Sequence, residues 1–177
     1  MIISLIIISL FLVSCTSQRN IIIDNPDHVT SQIVHCHAYS TATQTITNTS
    51  KYKIVVFENI MPCTNIGFDT ENFTINLGGN YHITVDLYAD KTGGAVTTLE
   101  AIILLNGVQI NGTSSQRTVN VNNEVGYFAI NADLDLVVND SISIGLTATG
   151  DTGQLNDGGC ILCDEGVTAR LNMFKEK

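Results

Sequence analysis

Positive charge is what this sequence has least of. Eight Lys and Arg stand against seventeen Asp and Glu, for a net charge of −9. Phosphate binding needs a basic patch, so this balance argues against nucleic acid and against an anionic membrane surface as partners of the folded part. The acids are scattered along the chain and read as a solvated surface. Charged residues of both signs make up only 14% of the chain while 44% is hydrophobic, which rules out a disordered tail. Trp is absent and Pro occurs twice, whereas Thr, Asn, Ile and Val abound, a balance that suits strands and turns better than helices. With 177 residues the chain is long enough for one domain with a proper core.

Signatures of catalysis are missing as well. Ser, His and Asp are all present, but no nucleophile elbow or other local geometry assembles them. Catalysis needs such groups within hydrogen-bond reach of one another. No stretch has the EF-hand spacing D-x-[DN]-x-[DN]-G with its distal Glu. The chain is therefore read as not an enzyme.

The longest apolar run is Ile2 to Val13, broken only by Ser4 and Ser9. It is short for a membrane span, which needs about 20 residues, and it fits the apolar core of a secretory signal. No Lys or Arg precedes Arg19, so the usual basic flank is absent. Leu12-Val13-Ser14-Cys15 also resembles the bacterial lipobox, which makes Cys15 a candidate for lipidation. Residues 1–20 are assigned to a signal peptide, a lipoprotein signal or a hydrophobic anchor, 21–30 to a connector, and 31–177 to the folded domain. Membrane attachment would run through the N-terminal segment alone.

If Cys15 leaves with the leader, Cys36, Cys63, Cys160 and Cys163 remain. An even number in an exported chain allows one or two disulfides, and the sequence does not choose among the pairings. Cys160-Ile161-Leu162-Cys163 is a CxxC, but it does not open a helix after a strand as a thioredoxin-type site does.

The chain is organised around Phe73 to Ala89. A short strand turns at Gly78-Gly79 and re-enters a strictly alternating strand, with Tyr81, Ile83, Val85 and Leu87 on one face and His82, Thr84 and Asp86 on the other. That is the period of a strand with one buried face. Residues 31–47 look extended and 52–57 form a short β-branched strand. Asn106-Gly107 is a strong hairpin signal, and Asn139-Asp140 is a second turn. Ile142, Ile144 and Leu146 share an inward face, as do Ala169, Leu171 and Met173. Residues 58–65, 111–116 and 150–159 read as loops. The pattern predicts an all-β, two-sheet antiparallel jelly-roll sandwich of about ten strands.

Candidate ligands are few. His35 and His37 project to the same face of a strand and offer two imidazoles, with Cys160 and Cys163 as further donors; a plain pair of strand histidines is the preferred reading. Calcium is the one cofactor left open: Asp133 and Asp135 share a face, and Asp151, Asp157, Asp164 and Glu165 populate one loop region, although solvated acids are the simpler reading. Glycosylation sequons occur at Asn48, Asn72, Asn111 and Asn139, and Asn111 is the most accessible of them.

These residues resemble a family. Phe73, Gly79 and Tyr81, followed by Ile83 and Val85, match the F-x5-G-x-Y-x-F-x-[FY] pattern of the globular head of complement component 1q, within the tumour-necrosis-factor-like jelly rolls. Phe57 and Phe68 fall at the family spacing upstream. Leu105-Asn106-Gly107 resembles its Asn-Gly hairpin. Leu134-Asp135-Leu136 with Asn139-Asp140-Ser141-Ile142 resembles its strand–turn–strand segment, and Ala169 to Phe174 its last strand. Cys63 stands where the family prefers Asn or Asp, Ile83 and Val85 replace aromatics, Asn139 replaces Gly, and Phe68 lies two residues too close to Phe73. The resemblance spans residues 31–176 and points to a divergent microbial or viral member. It implies a homotrimer built on a hydrophobic axis and a binding or structural role.

The expected function is that of a secreted or cell-surface-attached trimer that binds an extracellular ligand or surface through loops at 90–94, 111–116 and 150–166. The alternative is a structural subunit of a virion or surface assembly that uses the same fold.

Overall fold

The computed structural model describes residues 34–46, 52–91, 95–121, 124–150, 153–155 and 166–176, all within the compact unit Ser31–Lys177. The expectations placed on the leader with Cys15, the connector, Asn48, Cys160, Cys163, Asp151, Asp157, Asp164 and Glu165 lie outside these residues.

Every described element is a β-strand. In chain order they are β1 (His35–Ser40), β2 (Gln44–Ile46), β3 (Lys53–Ile54), β4 (Asn59–Ile60), β5 (Ile66–Phe68), β6 (Phe73–Ile75), β7 (Gly79–Lys91), β8 (Thr97–Leu105), β9 (Val108–Val119), β10 (Gly126–Leu136), β11 (Ser141–Thr149), β12 (Gly153–Leu155) and β13 (Ala169–Lys175). They form two antiparallel sheets. In the first, β7 is central: β10 pairs along one side of it, and β13 and then β12 pair along the other. Outside these lie β1 against β13, β2 against β12, and β4 against β1. The second sheet runs β5-β6-β11-β8-β9, with β3 also on β11. This is the jelly-roll sandwich expected from the alternation.

The alternating residues meet between the sheets. Tyr81, Ile83, Val85 and Leu87 of β7, Ile142, Ile144 and Leu146 of β11, and Ala169, Leu171 and Met173 of β13 are all buried. Phe73 packs edge-on against Phe57 at 5.6 Å between ring centroids and against Phe68 at 4.9 Å. The three phenylalanines that carry the family resemblance are thus one aromatic cluster. Aromatic contacts of this kind add about 0.5–1.5 kcal/mol each beyond area burial.

The turn at Gly78-Gly79 passes from one sheet to the other, since β6 belongs to the second sheet and β7 to the first. Gly79 has φ +147°, and a Cβ there would stand 2.2 Å from Lys175 Cε. The positive φ is what favours glycine here, since the Lys175 side chain lying over it could swing aside for a larger residue.

Several loop expectations are corrected. Residues 111–116 are part of β9, paired with β8. Their side chains gave no apolar alternation because only Thr113 among them is buried. Edge strands are held by ladder hydrogen bonds and tolerate a polar outer row. A register shift between Ile102 and Leu104 leaves Ile110 to Thr113 opposite Ile103 alone, and pairing resumes at Ser114. Residues 58–65 contain β4 and a bridge from Thr64 to His35, and residues 153–155 of the 150–159 stretch form β12. The strand expected over 52–57 is limited to Lys53–Ile54, although Val55 and Phe57 are buried.

Residues 41–43 break the extended run into β1 and β2. Glu58 holds this break, accepting hydrogen bonds from Ser40 Oγ at 2.7 Å, Thr41 N–H at 2.6 Å, Thr41 Oγ1 at 3.0 Å and Ala42 N–H at 2.8 Å. Partial burial pushes its carboxyl up, but the bonds from Ser40 and Thr41 outweigh this and leave it below the usual carboxylate value.

Candidate functional site: the outward face of the first sheet

Strand alternation puts every second residue of the first sheet on its outer face. The observed registers then set those residues in rows. One row runs His35, Phe174, His82, Asp133; the next runs His37, Asn172, Thr84, Asn131; a third runs Tyr39, Arg170, Asp86. Tyr88 and Tyr127 face each other at 5.3 Å one row further on. Most of these side chains are half-buried, so the face is a continuous polar–aromatic layer.

The rows are bonded across strands. His37 Nδ1 is in hydrogen-bond contact with Asn172 Oδ1, and Asn172 Nδ2 donates to Thr84 Oγ1 at 3.3 Å. The Tyr127 hydroxyl donates to Asp86 Oδ1. That bond, then burial and the charges of Asp86 and Tyr88, push the Tyr127 phenol up to about 12. His82 stacks against Phe174 at 5.0 Å and places Nδ1 2.5 Å from Asp133 Oδ1.

Cys36 and Cys63 form a disulfide across the edge of this sheet. Cys36 points inward and is buried, while His35 and His37 point outward. The two histidines share a face, as expected, but each has its own neighbours: Thr64 and Phe174 beside His35, Asn172 and Tyr39 beside His37. Asp133 and Asp135 also share the outer face, with Asp135 opposite Asn80. Asn111 is exposed, on a strand. Asn139 is exposed in a tight turn at φ +74°, and Asn72 is half-buried and donates to Asp69.

The sequence reading missed one grouping. Among the described residues, His82, Asp133 and Glu176 are the group of three metal-competent side chains whose donor atoms lie within 4.8 Å of one another. Parity alone puts His82 and Asp133 outward. What the sequence could not supply was the β7–β10 register that makes them direct neighbours 51 residues apart.

The same arrangement of strands is found in a solved protein. The structure of Eiger TNF from S. frugiperda superposes with a TM-score of 0.58, covering 82% of this chain and 93% of that one at 12% identity. The fold is that of a TNF-like jelly roll. The globular domain of zebrafish complement 1qA protein aligns over 81% of this chain and 98% of its own at 14% identity, with a TM-score of 0.48. No protein-family profile matches the chain, and no curated protein does. The polar–aromatic layer covers the outside of the sheet centred on β7.

Proposed function

We propose that this chain is a non-catalytic, exported TNF-like module that assembles as a homotrimer and binds an extracellular ligand or surface. The observation that carries the reading is the outer face of the first sheet. The two exposed aromatics among the described residues, Tyr127 at 46% and Phe174 at 45%, both lie there, beside half-buried Tyr39 and Tyr88. Met61, 55% exposed, joins them at the β1 edge through its backbone bond to His37. Interfaces are enriched in aromatic residues and Met. A second and third copy of the chain are the occupants that the resemblance to trimeric jelly rolls implies. The Cys36–Cys63 disulfide supports export, because such bonds persist in oxidising compartments.

Light scattering on the purified chain tests this. The expected mass is that of three copies, and Tyr127→Glu with Phe174→Glu should reduce it to one without loss of β circular dichroism. A wild-type monomer would overturn the trimer. Assemblies that grow well beyond three copies would favour the structural-subunit reading instead.

A further inference from the structure

We propose that His82, Asp133 and Glu176 form a binding site for a divalent transition-metal ion of the zinc class. The three side chains come from β7, from β10 and from the residue that follows β13, and the sheet brings them to one corner. His82 and Asp133 are direct partners across the β7–β10 ladder. Phe174 is the direct partner of His82 on the other side, so Glu176, two residues on, returns to the same face.

The corner is built to hold these donors in place. The Glu176 backbone N–H donates to Asn80 O at 2.8 Å, and Asn80 Nδ2 donates to Glu176 Oε2 at 3.1 Å. One carboxylate oxygen is thereby oriented. The ring of Phe174 lies against that of His82 and fixes its plane. Support of this kind around metal-binding side chains orients them and strengthens binding.

The donors are near enough to close on one ion once the His82–Asp133 hydrogen bond opens. Zinc sits about 2 Å from each N or O donor, so donors around one ion stand about 3–4 Å apart. Asp133 Oδ1 and His82 Nδ1 are at 2.5 Å, and all three donors fall within 4.8 Å. Asp133 is 62% exposed and free to rotate by the small amount that an inserted ion requires. Its carboxylate and that of Glu176 have no Lys or Arg partner among the described residues, so a dication offsets two negative charges that now face only an imidazole. The donor chemistry selects the ion. Calcium takes six to eight oxygens, whereas one imidazole with two carboxylates is a zinc-type set that leaves a fourth position for water.

All three donors come from one chain, in the row of the outer face that also holds Phe174 of the proposed trimer contact. The test is calorimetric titration of zinc into the untagged full chain after chelator treatment, with cobalt(II) absorption as a second readout. One ion per chain is expected. His82→Ala and Glu176→Gln should each weaken binding by about 10- to 100-fold or more, and Asn80→Ala by less. Glu176→Gln alters only an exposed side chain just beyond β13, so it reports binding even if His82→Ala disturbs the sheet. Absence of uptake at about 1 mM zinc would overturn the site and leave a simple His82–Asp133 hydrogen bond. Binding that survives both variants but disappears in His35→Ala with His37→Ala would also overturn it. Light scattering on the same samples separates a lost metal site from a lost assembly.

Discussion

Asn106 and Asp140 are hydrogen-bonded at 2.9 Å, and the bond ties the β8–β9 turn to the β10–β11 turn. Asn106 and Gly107 both have positive φ, as a two-residue hairpin turn requires. Asp140 also accepts from the Val137 N–H at 2.9 Å, and Asn106 Oδ1 accepts from the Ser141 N–H at 2.9 Å.

This relationship has a pH signature. The Val137 N–H, followed by the Asn106 amide, holds the Asp140 carboxyl below its ordinary value of 3.8. A carboxyl lowered on folding stabilises the fold above its unfolded pKa, and the contribution is lost as pH falls through the folded one. Asp140→Asn is therefore expected to melt below wild type at neutral pH, with the gap closing as pH falls below 3.8. Thermal melts across that range decide it, and a gap independent of pH would count against the assignment.

The Cys36–Cys63 bond closes a loop with a sequence separation of 27. In the chain-entropy account, a loop of that length is worth about 3–4 kcal/mol. Urea unfolding of the Cys36→Ala, Cys63→Ala double variant should show a loss of that order. Reductant should move the wild-type midpoint and leave that of the variant in place.

Phe73 is fully buried and contacts both Phe57 and Phe68. Phe73→Ala should cost about 3–5 kcal/mol through lost burial and the cavity left behind. Phe68, which is only half-buried, should cost clearly less when truncated. Equal losses at the two positions in denaturant titrations would mean that the cluster is not centred on Phe73.

Tyr127 titrates at about 12 chiefly because its hydroxyl is bonded to Asp86. In Asp86→Asn the acceptor charge is gone, so the phenol should fall back toward its ordinary value of 10. Carbon NMR of labelled tyrosine, followed from neutral to alkaline pH, resolves this one ring. No change on substitution would sever the link between the two residues.

Much of the sandwich was legible because its signals are local. The inward faces of β7, β11 and β13 follow from alternation alone, and the Asn106 turn follows from the preference of Asn-Gly for positive φ. Pairing is not local. Nothing near His82 announces Asp133, and nothing near Cys36 singles out Cys63 from the other cysteines. Strand β9 was illegible over residues 111–116 for a different reason: backbone bonds to β8 hold it, while its exposed side chains carry no alternation. The folding pattern could therefore be read ahead of the corner where His82, Asp133 and Glu176 meet, because the corner exists only through register.

β13 sits between β1 and β7, bonded to both along nearly its whole length. The central seam of the first sheet is thus filled by the last of the described strands. Until Ala169–Lys175 emerges, β1 has no neighbour linking it to β7, and the inner faces of both remain without Leu171 and Met173. The sandwich therefore closes only once β13 has been made, and its core stands open while everything between β7 and β13 is synthesised.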